Sequence, residues 1–490
     1  MKKERITPRK ENYSKWYLDV IREADLAENS IVRGCMVIKP DGYALWEKVQ
    51  EELGRMIKET GHKNVYFPIF IPKSLLNKEA EHVEGFAKES AIVTHHRLKV
   101  GENKELIVDP QSKLEEEVIV RPTSESIMYD SFSKWITSYR DLPLLLNQWC
   151  NIVRWEMRTR IFLRTSEFLW QEGHTAHETC EQAEQEALKM LEVYKKFVEE
   201  YMAVPLISGR KSEKEKFPGA LHTYTIEAMM QDGKALQEGT SHNLGDNFAK
   251  VFDITYLDKN NEKKYAWQTS WGVSTRLLGA LVMVHGDDNG IVLPPKMATT
   301  PVVIIPIWKN EQEKKQIESV VEKISKELKE KNINTHIDNR DYLTPGFKFN
   351  EWEKKGIPIR IEIGPKDIEK NKAVVCRRDT GQKQEVEIEK IPTNVESLLE
   401  QIQKDMFKKA KNFLDSNTHE VNSYDELKEF FKTKKGFVKA YWQENKEIEE
   451  EIKYETGGVT TRCLISEEKE GKCIITGKPT KQQWIFGFAY

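Results

Sequence analysis

Arg154, Glu156, Arg164 and Glu167 fall within one short stretch, residues 147–174, NQWCNIVRWEMRTRIFLRTSEFLWQEGH. Runs 149–157 and 161–171 read as two strands around the basic turn Arg158-Thr159-Arg160. Residues two apart on a strand share a face, so Arg154 and Glu156 point the same way and the return run brings Arg164 and Glu167 beside them. Two planar, always-charged donors in one place suit a polyanion such as a nucleoside triphosphate. An antiparallel hairpin with cross-strand Arg–Glu pairs accounts for the same residues.

Three other stretches carry chemistry. Arg121-Pro-Thr-Ser-Glu125 follows a short apolar run. Thr123 and Glu125 either cap a helix over 126–139 or aim a hydroxyl and a carboxylate at a small cation such as a substrate amine. Residues 237–245, QEGTSHNLG, are small and polar and read as a loop lining a site. Residues 267–284, WQTSWGVSTRLLGALVMV, read as a strand leading into an apolar helix that begins near Ser274–Arg276. A guanidinium there adds to the anion attraction of a helix N-terminus. The basic segment 209–219, GRKSEKEKFPG, reads as a surface loop. His95 and His96 point different ways in any regular element and take surface roles.

The elements that must position these groups follow from periodicity. A helix is predicted over 42–59 with Asp41 as N-cap and Trp46, Val49, Leu53, Met56 and Ile57 on its apolar stripe. Gly61 ends it, and 65–72 reads as a proline-bearing strand; together they form a plausible dimer surface or pack within one subunit. Residues 73–99 read as a polar helix and 101–117 as a charged loop. Thr179 and Gln182 form a capping box for a helix to about Met202. Beyond a linker at 290–295, strands at 301–306, 333–337 and 357–363 alternate with helices over 313–332 and after Tyr342, the pattern of a largely parallel α/β sheet. The chain turns helical and charged from about Lys404 and ends in a small β-rich tail over 437–490.

The chain has 490 residues, room for two to four domains, with 32% charged residues and a net charge of −3. That balance does not announce a nucleic-acid binder, although a local basic face can act on a neutral whole. No run approaches the roughly 18 apolar residues of a membrane span, and the charged N-terminus has no apolar core. Six scattered cysteines without a CxxC pair fit reduced thiols and a cytoplasmic location.

In their order along the chain these stretches resemble the class II aminoacyl-tRNA synthetases, and specifically the prolyl-tRNA synthetases of archaeal and eukaryotic type, over essentially the whole length. Motif 1 spans Gly61, Val65 and Pro68, motif 2 runs from Arg154-Trp-Glu156 to Arg164-Thr-Ser-Glu-Phe168, and motif 3 is Ser270-Trp-Gly-Val-Ser-Thr-Arg276. The resemblance implies an α+β fold: an antiparallel-sheet catalytic domain over 1–298, an α/β anticodon-binding domain over 299–404 and a small α/β C-terminal domain over 405–490. It implies a homodimer with ATP, Mg²⁺, L-proline and tRNA(Pro) as cofactors and partners, and no membrane. Thr123 and Glu125 would hold the proline amine and Arg154 its carboxylate. Trp170, Glu172, His174, His242 and Ser274 would form the proline pocket. Arg154 would also touch the α-phosphate, Glu156 and Thr165 would meet adenine, and Arg164 and Arg276 would clamp the outer phosphates. Gln237 and Thr240 would lie by the phosphates, Gln237 by the Mg²⁺. In the anticodon-binding domain Arg340, Phe347, Lys348, Glu351, Arg360 and Glu362 would face tRNA, although Phe347 and Trp352 could equally be core.

The same resemblance frames three further expectations. Relatives that edit mischarged alanine carry an inserted domain between motifs 2 and 3. Phe168 to Ser270 leaves no room for it, so alanine activation without editing is expected. Relatives hold zinc through four C-terminal cysteines; here only Cys463 and Cys473 stand in that region, so no zinc is expected. The chain ends at Tyr490, the position whose carboxylate in relatives reaches toward the active site. A synthetase for another amino acid and an inactive synthetase-like RNA-binding protein are the rival readings. RPTSE with WQEGH opposes the first, and intact Arg154, Glu156, Arg164 and Arg276 oppose the second.

Overall fold

The computed structural model describes residues 6–78 and 89–490. Its organising element is an eleven-stranded sheet. From the N-terminal half come β1 (Lys63–Asn64), β2 (Leu144–Val153), β3 (Glu167–His177), β4 (Leu206–Arg210), β5 (His222–Met229), β6 (Ala235–Gly245) and β7 (Trp267–Ser274). Helices α1 (Tyr13–Glu23), α2 (Pro40–Glu59), α3 (Glu125–Trp135), α4 (Cys180–Glu200) and α5 (Arg276–His285) belong to the same half. The core between sheet and helices buries Trp16, Tyr17, Trp46, Tyr194, Phe197 and Trp271, with Leu277–Met283 of α5 among them.

A second sheet is formed by β8 (Val302–Pro306), β9 (Thr335–Ile337), β10 (Ile359–Ile363), β11 (Lys372–Arg377) and β12 (Lys383–Glu387). It is flanked by α6 (Glu311–Glu330), α7 (Pro345–Lys354) and the long α8 (Ile391–Ser416). β9, β8 and β10 are parallel, whereas β11 and β12 add antiparallel. The central parallel strand β8, VVIIP, is apolar throughout and buried, as a strand covered on both faces requires, whereas β10 alternates isoleucine with Arg360 and Glu362 and the edge strand β9 is only half-buried. The last segment gives β13 (Thr418–Glu420), α9 (Tyr424–Thr433), β14 (Phe437–Tyr441), α10 (Lys446–Glu455), β15 (Thr460–Ser466) and β16 (Gln483–Gly487). These strands continue the large sheet, in the order β13-β14-β16-β15-β4-β5-β6-β7-β3-β2-β1.

Several local expectations are corrected. α2 starts at Pro40 with Lys39 as N-cap and no side-chain cap, so Asp41 lies in its first turn. A proline at the first helical position supplies the fixed φ that a capping side chain would otherwise favour. Residues 65–72 are not one strand: the paired segments are Lys63–Asn64 and Phe70–Pro72, with Pro68, which has no N–H to give a ladder, between them. The helix expected over 73–99 is confined to Lys73–Asn77; Ile92–His95 and Leu98–Val100 are strands, and residues 79–88 lie outside the described residues. The charged loop over 101–117 contains strands Leu106–Val108 and Lys113–Val120. α8 begins well before Lys404.

A tight approach within the large sheet is at Gly173. It pairs with Trp271 across β3 and β7, and a Cβ there would lie 2.1 Å from the indole ring. Trp271 is buried between His62 and Tyr194 and cannot step aside without disturbing both rings. Gly173→Ala should therefore destabilise the fold by about 1–3 kcal/mol. Chemical denaturation checks this, and an unchanged midpoint would contradict the packing described.

Candidate active site

The cavity face of the catalytic sheet is written in its register. Antiparallel partners stand side by side, so one rung reads Thr223, His242, Ser270, His174 across β5, β6, β7 and β3. The next reads Thr225, Thr240, Gly272, Glu172, Gln148, ending on β2. A third pairs Ser274 with Trp170 and Cys150. Gln237 and Thr240 are three apart and would face opposite ways on a regular strand. A bulge opposite Ile226 and Glu227 takes up Glu238 as an extra residue and returns Gln237 to the face of Thr240. Residues 237–245 are thus strand rather than loop; their small side chains reflect close packing, as where Ser241 turns away to bond the Ala187 carbonyl on α4 at 2.7 Å.

These rungs floor a cavity of about 330 Å³. Thr123, Glu125, Arg154, Trp170, Glu172, His174, Gln237, Thr240, His242, Ser274 and Arg276, all singled out from sequence, line it. Glu156, Arg164 and Thr165 do not. They lie on the loop that joins β2 to β3, where Arg164 pairs with Glu156 at 3.7 Å and the Thr165 hydroxyl donates to the Glu167 carbonyl. The predicted hairpin is real but set back along the chain: β2 ends at Val153, so Arg154 and Glu156 stand beyond the ladder rather than on it. The expected helix cap at Thr123 is absent. The Thr123 hydroxyl instead donates to the Glu125 carboxylate, and both groups face the cavity.

One end of the cavity is a buried acid–imidazole cluster. Glu172 accepts from Ser124 at 2.5 Å and Gln148 at 2.8 Å and faces His174 Nε2 at 3.0 Å. His174 Nδ1 lies 3.2 Å from the Tyr129 hydroxyl. Burial pushes the Glu172 carboxyl up, but His174 and the two donors outweigh it and hold it below its ordinary range. Burial pushes His174 down, and the Glu172 and Glu125 carboxylates more than restore it, leaving it raised. His242, by contrast, is pushed down to about 3 by burial and by the charges of His174 and Lys211, so it is neutral. Its Nδ1 meets the Thr223 hydroxyl at 2.9 Å, and its ring lies 4.8 Å from Phe217. Trp170 is fixed by its indole N–H on Cys150 Sγ at 3.0 Å.

The other end is cationic. Arg154 donates to the Pro122 carbonyl at 3.0 Å, and its guanidinium sits over Trp170 and Phe168, 5.6 and 5.8 Å from the ring centroids. Burial pushes it down to about 10, and the nearby Arg276 adds to that. Arg276 opens α5 and folds back to the carbonyls of Leu163, at 3.3 Å, and Gln237, at 3.1 Å. Beside it the Glu238 carboxyl is buried, and among the described residues neither oxygen has a hydrogen-bond partner. Burial raises its pKa far above the ordinary range despite Arg276.

Residues 211–218 were read from sequence as a surface loop. Lys211, Glu215, Lys216, Phe217 and Pro218 instead form a wall of the cavity. The one local signal was Phe217, an apolar ring in an otherwise charged loop. Among the tRNA-facing candidates, Arg340 pairs with Asp338 and Glu351, and Arg360 bonds to Glu362. Lys348 turns inward to the Asp338 carbonyl at 2.9 Å, and Trp352 also donates to Asp338.

A raised imidazole makes a signed pH prediction. The His174 contribution to stability is complete below its ordinary 6.5 and is lost as pH rises through the folded value; that of Glu172 is present above 4.5 and is lost on acidification. His174→Gln should therefore cost more stability near pH 6 than near pH 9. Denaturant titrations at both values check this, and a pH-independent difference would contradict the assignment.

Three family profiles match the chain: tRNA synthetase class II core domain (G, H, P, S and T) over residues 107–285, Anticodon binding domain over 301–398, and Prolyl-tRNA synthetase, C-terminal, over 424–490. Proline–tRNA ligase of Porphyromonas gingivalis is 57% identical over 488 residues, 99% of both chains. The ligases of that name from Bacteroides fragilis and Flavobacterium johnsoniae are 57% and 54% identical over 492 and 489 residues, again 99% of both chains.

Proposed function

The chain belongs to the class II prolyl-tRNA synthetases, and from that premise we propose how its cavity performs proline–tRNA ligation. Proline is first joined to ATP as prolyl-adenylate with loss of pyrophosphate, then passed to the 3′ end of tRNA(Pro). The observation that carries the residue assignment is the polarity of the cavity. Thr123, Glu125, Glu172 and His174, which suit an amine, stand at one end, Arg276 stands at the other, and Arg154 lies within reach of the charges of Glu125, Glu172 and Arg276.

In this reading the Thr123 hydroxyl and Glu125 hold the proline amine. Trp170, His242 and Phe217 enclose the pyrrolidine ring, with Glu172, His174 and Ser274 behind them. Arg154 holds the proline carboxylate and the α-phosphate together. One carboxylate oxygen then attacks the α-phosphorus, and the bond to the pyrophosphate oxygen breaks. Because the substrate is its own nucleophile, the protein supplies position and charge rather than an activated side chain. Glu156 and Thr165 take adenine once the loop after β2 closes over it, Arg164 and Arg276 take the outer phosphates, and Thr240 lies beside them. Gln237, with Glu238 next to it, suits the Mg²⁺ that accompanies ATP; that ion, when bound, would neutralise phosphate charge. In the second step the terminal ribose hydroxyl of tRNA attacks the prolyl carbonyl and AMP leaves.

The domain limits 1–298, 299–404 and 405–490 belong to the same reading, the middle unit binding the anticodon through Arg340, Lys348, Glu351, Arg360 and Glu362. So does a homodimer. β1 is an edge strand of the large sheet directly after α2, and Tyr66 and Phe70 beside it are exposed. The enzyme is assigned to the archaeal and eukaryotic type, without an inserted editing unit. In support, the chain between β3 and β7 is taken up by α4, β4, β5, β6 and short elements packed on them. The C-terminal unit is assigned a zinc-free fold. Its Cys473 thiol already accepts the backbone N–H groups of Gln443 and Thr476. Metal analysis of the purified chain should find no bound zinc, and about one zinc per chain would refute that assignment.

ATP–pyrophosphate exchange across a panel of amino acids tests the function. Proline should support exchange, with weaker exchange on alanine, since a missing methylene is worth only about 1–3 kcal/mol. Absence of exchange with proline would sink the assignment. Rapid hydrolysis of Ala-tRNA by the pure enzyme would overturn the lack of editing.

A further inference from the structure

The wall formed by residues 211–218 is not held by the catalytic half alone. The segment leaves β4 after Arg210 and is fastened along its length to the C-terminal unit. The Ser212 hydroxyl donates to Glu449 on α10 at 3.1 Å, the Glu213 amide donates to Glu444, and Lys214 pairs with Glu450 at 3.1 Å. Thr461 on β15 donates to the same Glu449 oxygen. The neighbouring strands approach so closely that a Cβ on Gly209 would lie 2.1 Å from the Leu464 carbonyl oxygen.

Beneath the wall runs a buried charge relay. Lys211 Nζ lies 3.3 Å from Glu227 Oε1, which also accepts from the Thr225 hydroxyl at 2.8 Å. Arg462, on β15, reaches the other oxygen of the same carboxylate through Nε at 3.1 Å and Nη2 at 2.8 Å. The side chains of Lys211, Glu227 and Arg462 are 5%, 0% and 7% exposed, so water cannot stand in for a lost partner. Glu227 lies opposite Gln237 in the register, on the cavity face of β5. Past the relay the segment reaches Phe217, whose amide donates to Thr223 and whose ring lies against His242.

We infer that the C-terminal unit is a positioning part of the active site: Arg462 acting through Glu227 and Lys211, and Glu449 acting through Ser212, set the wall that places Phe217 beside His242. A short charged loop has no apolar face of its own to fix it, and its ordering must come from partners. A buried ammonium and a buried carboxylate tolerate one arrangement only, because losing either leaves an uncompensated charge. Removing Arg462 leaves Glu227 short of donors. The carboxylate then draws Lys211 closer, and that shift moves the wall. The inference rests on the reading of the His242 end as the proline end.

The test is a steady-state double-mutant cycle on the full-length chain, read as KM for proline and KM for ATP in pyrophosphate exchange. Arg462→Met should raise the proline KM roughly tenfold, given how steeply catalysis falls with small misplacements. Arg462→Lys, which keeps the charge, should raise it less. In a Phe217→Ala background the Arg462→Met effect should shrink to about twofold or less, because the group it positions is gone. An unmoved proline KM, or the same factor in both backgrounds, overturns the inference. If Arg462→Met does not fold, Ser212→Ala with and without Phe217→Ala decides by the same criterion. His242→Ala separates the two levels. If it moves the ATP KM and spares proline, the reading of that end is wrong; if it moves the proline KM while Arg462→Met does not, only the positioning role falls.

Discussion

A charge buried on a sheet face survives only when a counter-charge or donor stands beside it, and the cavity face of this sheet is laid out accordingly. Glu172 has His174, Ser124 and Gln148 around it; Glu227 has Lys211, Arg462 and Thr225. Each is held in its ionised form although burial alone would push it the other way. At the cationic end the pattern stops. The Arg276 guanidinium donates to the backbone carbonyls of Leu163 and Gln237, and among the described residues the Glu238 oxygens, beside it, have no hydrogen-bond partner. Guanidinium groups whose charge is incompletely compensated by the protein at one end of the cavity suit the phosphates in the proposed adenylate formation.

The rest of the fold serves that face. The register of β5, β6, β7 and β3 sets which side chains meet, and the bulge at Glu238 brings Gln237 into line. Gly173 and Trp271 keep the centre of the sheet tightly closed. The C-terminal strands continue the same sheet from β4, so the last segment of the chain is joined to the active site by backbone pairing as well as by the Arg462–Glu227 contact. That continuity is carried further by the terminus. Phe488 and Tyr490 pair with Ala235 at the head of β6, and the Tyr490 ring covers Arg160 on the loop after β2.

Much of the site was legible in the sequence because its distinctive residues stand close together along the chain. Trp170, Glu172 and His174 alternate on one strand, and Arg154 and Arg276 are charges in apolar or aromatic settings. What sequence could not show has physical causes. Residues 237–245 read as a loop because a strand packed against a helix and crossed by a bulge needs small residues, the same types that turns need. Glu227 and Arg462 are 235 residues apart, so no local pattern announces their pairing, and Lys211 looked solvated because its partner was out of view. The helix expected at 73–99 failed because polarity without 3.6-residue spacing does not distinguish a helix from exposed two-sided strands. The alternation of the anticodon-binding half was plain, since its central strand β8 is an uninterrupted apolar run and the helix after it carries an apolar stripe at helical spacing.

The most direct test of the central claim, that one cavity holds proline and the adenylate phosphate with Arg154 between them, is a crystal structure with a non-hydrolysable prolyl-adenylate analogue. The pyrrolidine ring should lie between Trp170, Phe217 and His242, with its amine on Thr123 and Glu125 and with Arg154 contacting the group that replaces the phosphate. An analogue bound the other way round, with its amine at Arg276 and its phosphate mimic at Glu172 and His174, would contradict the account.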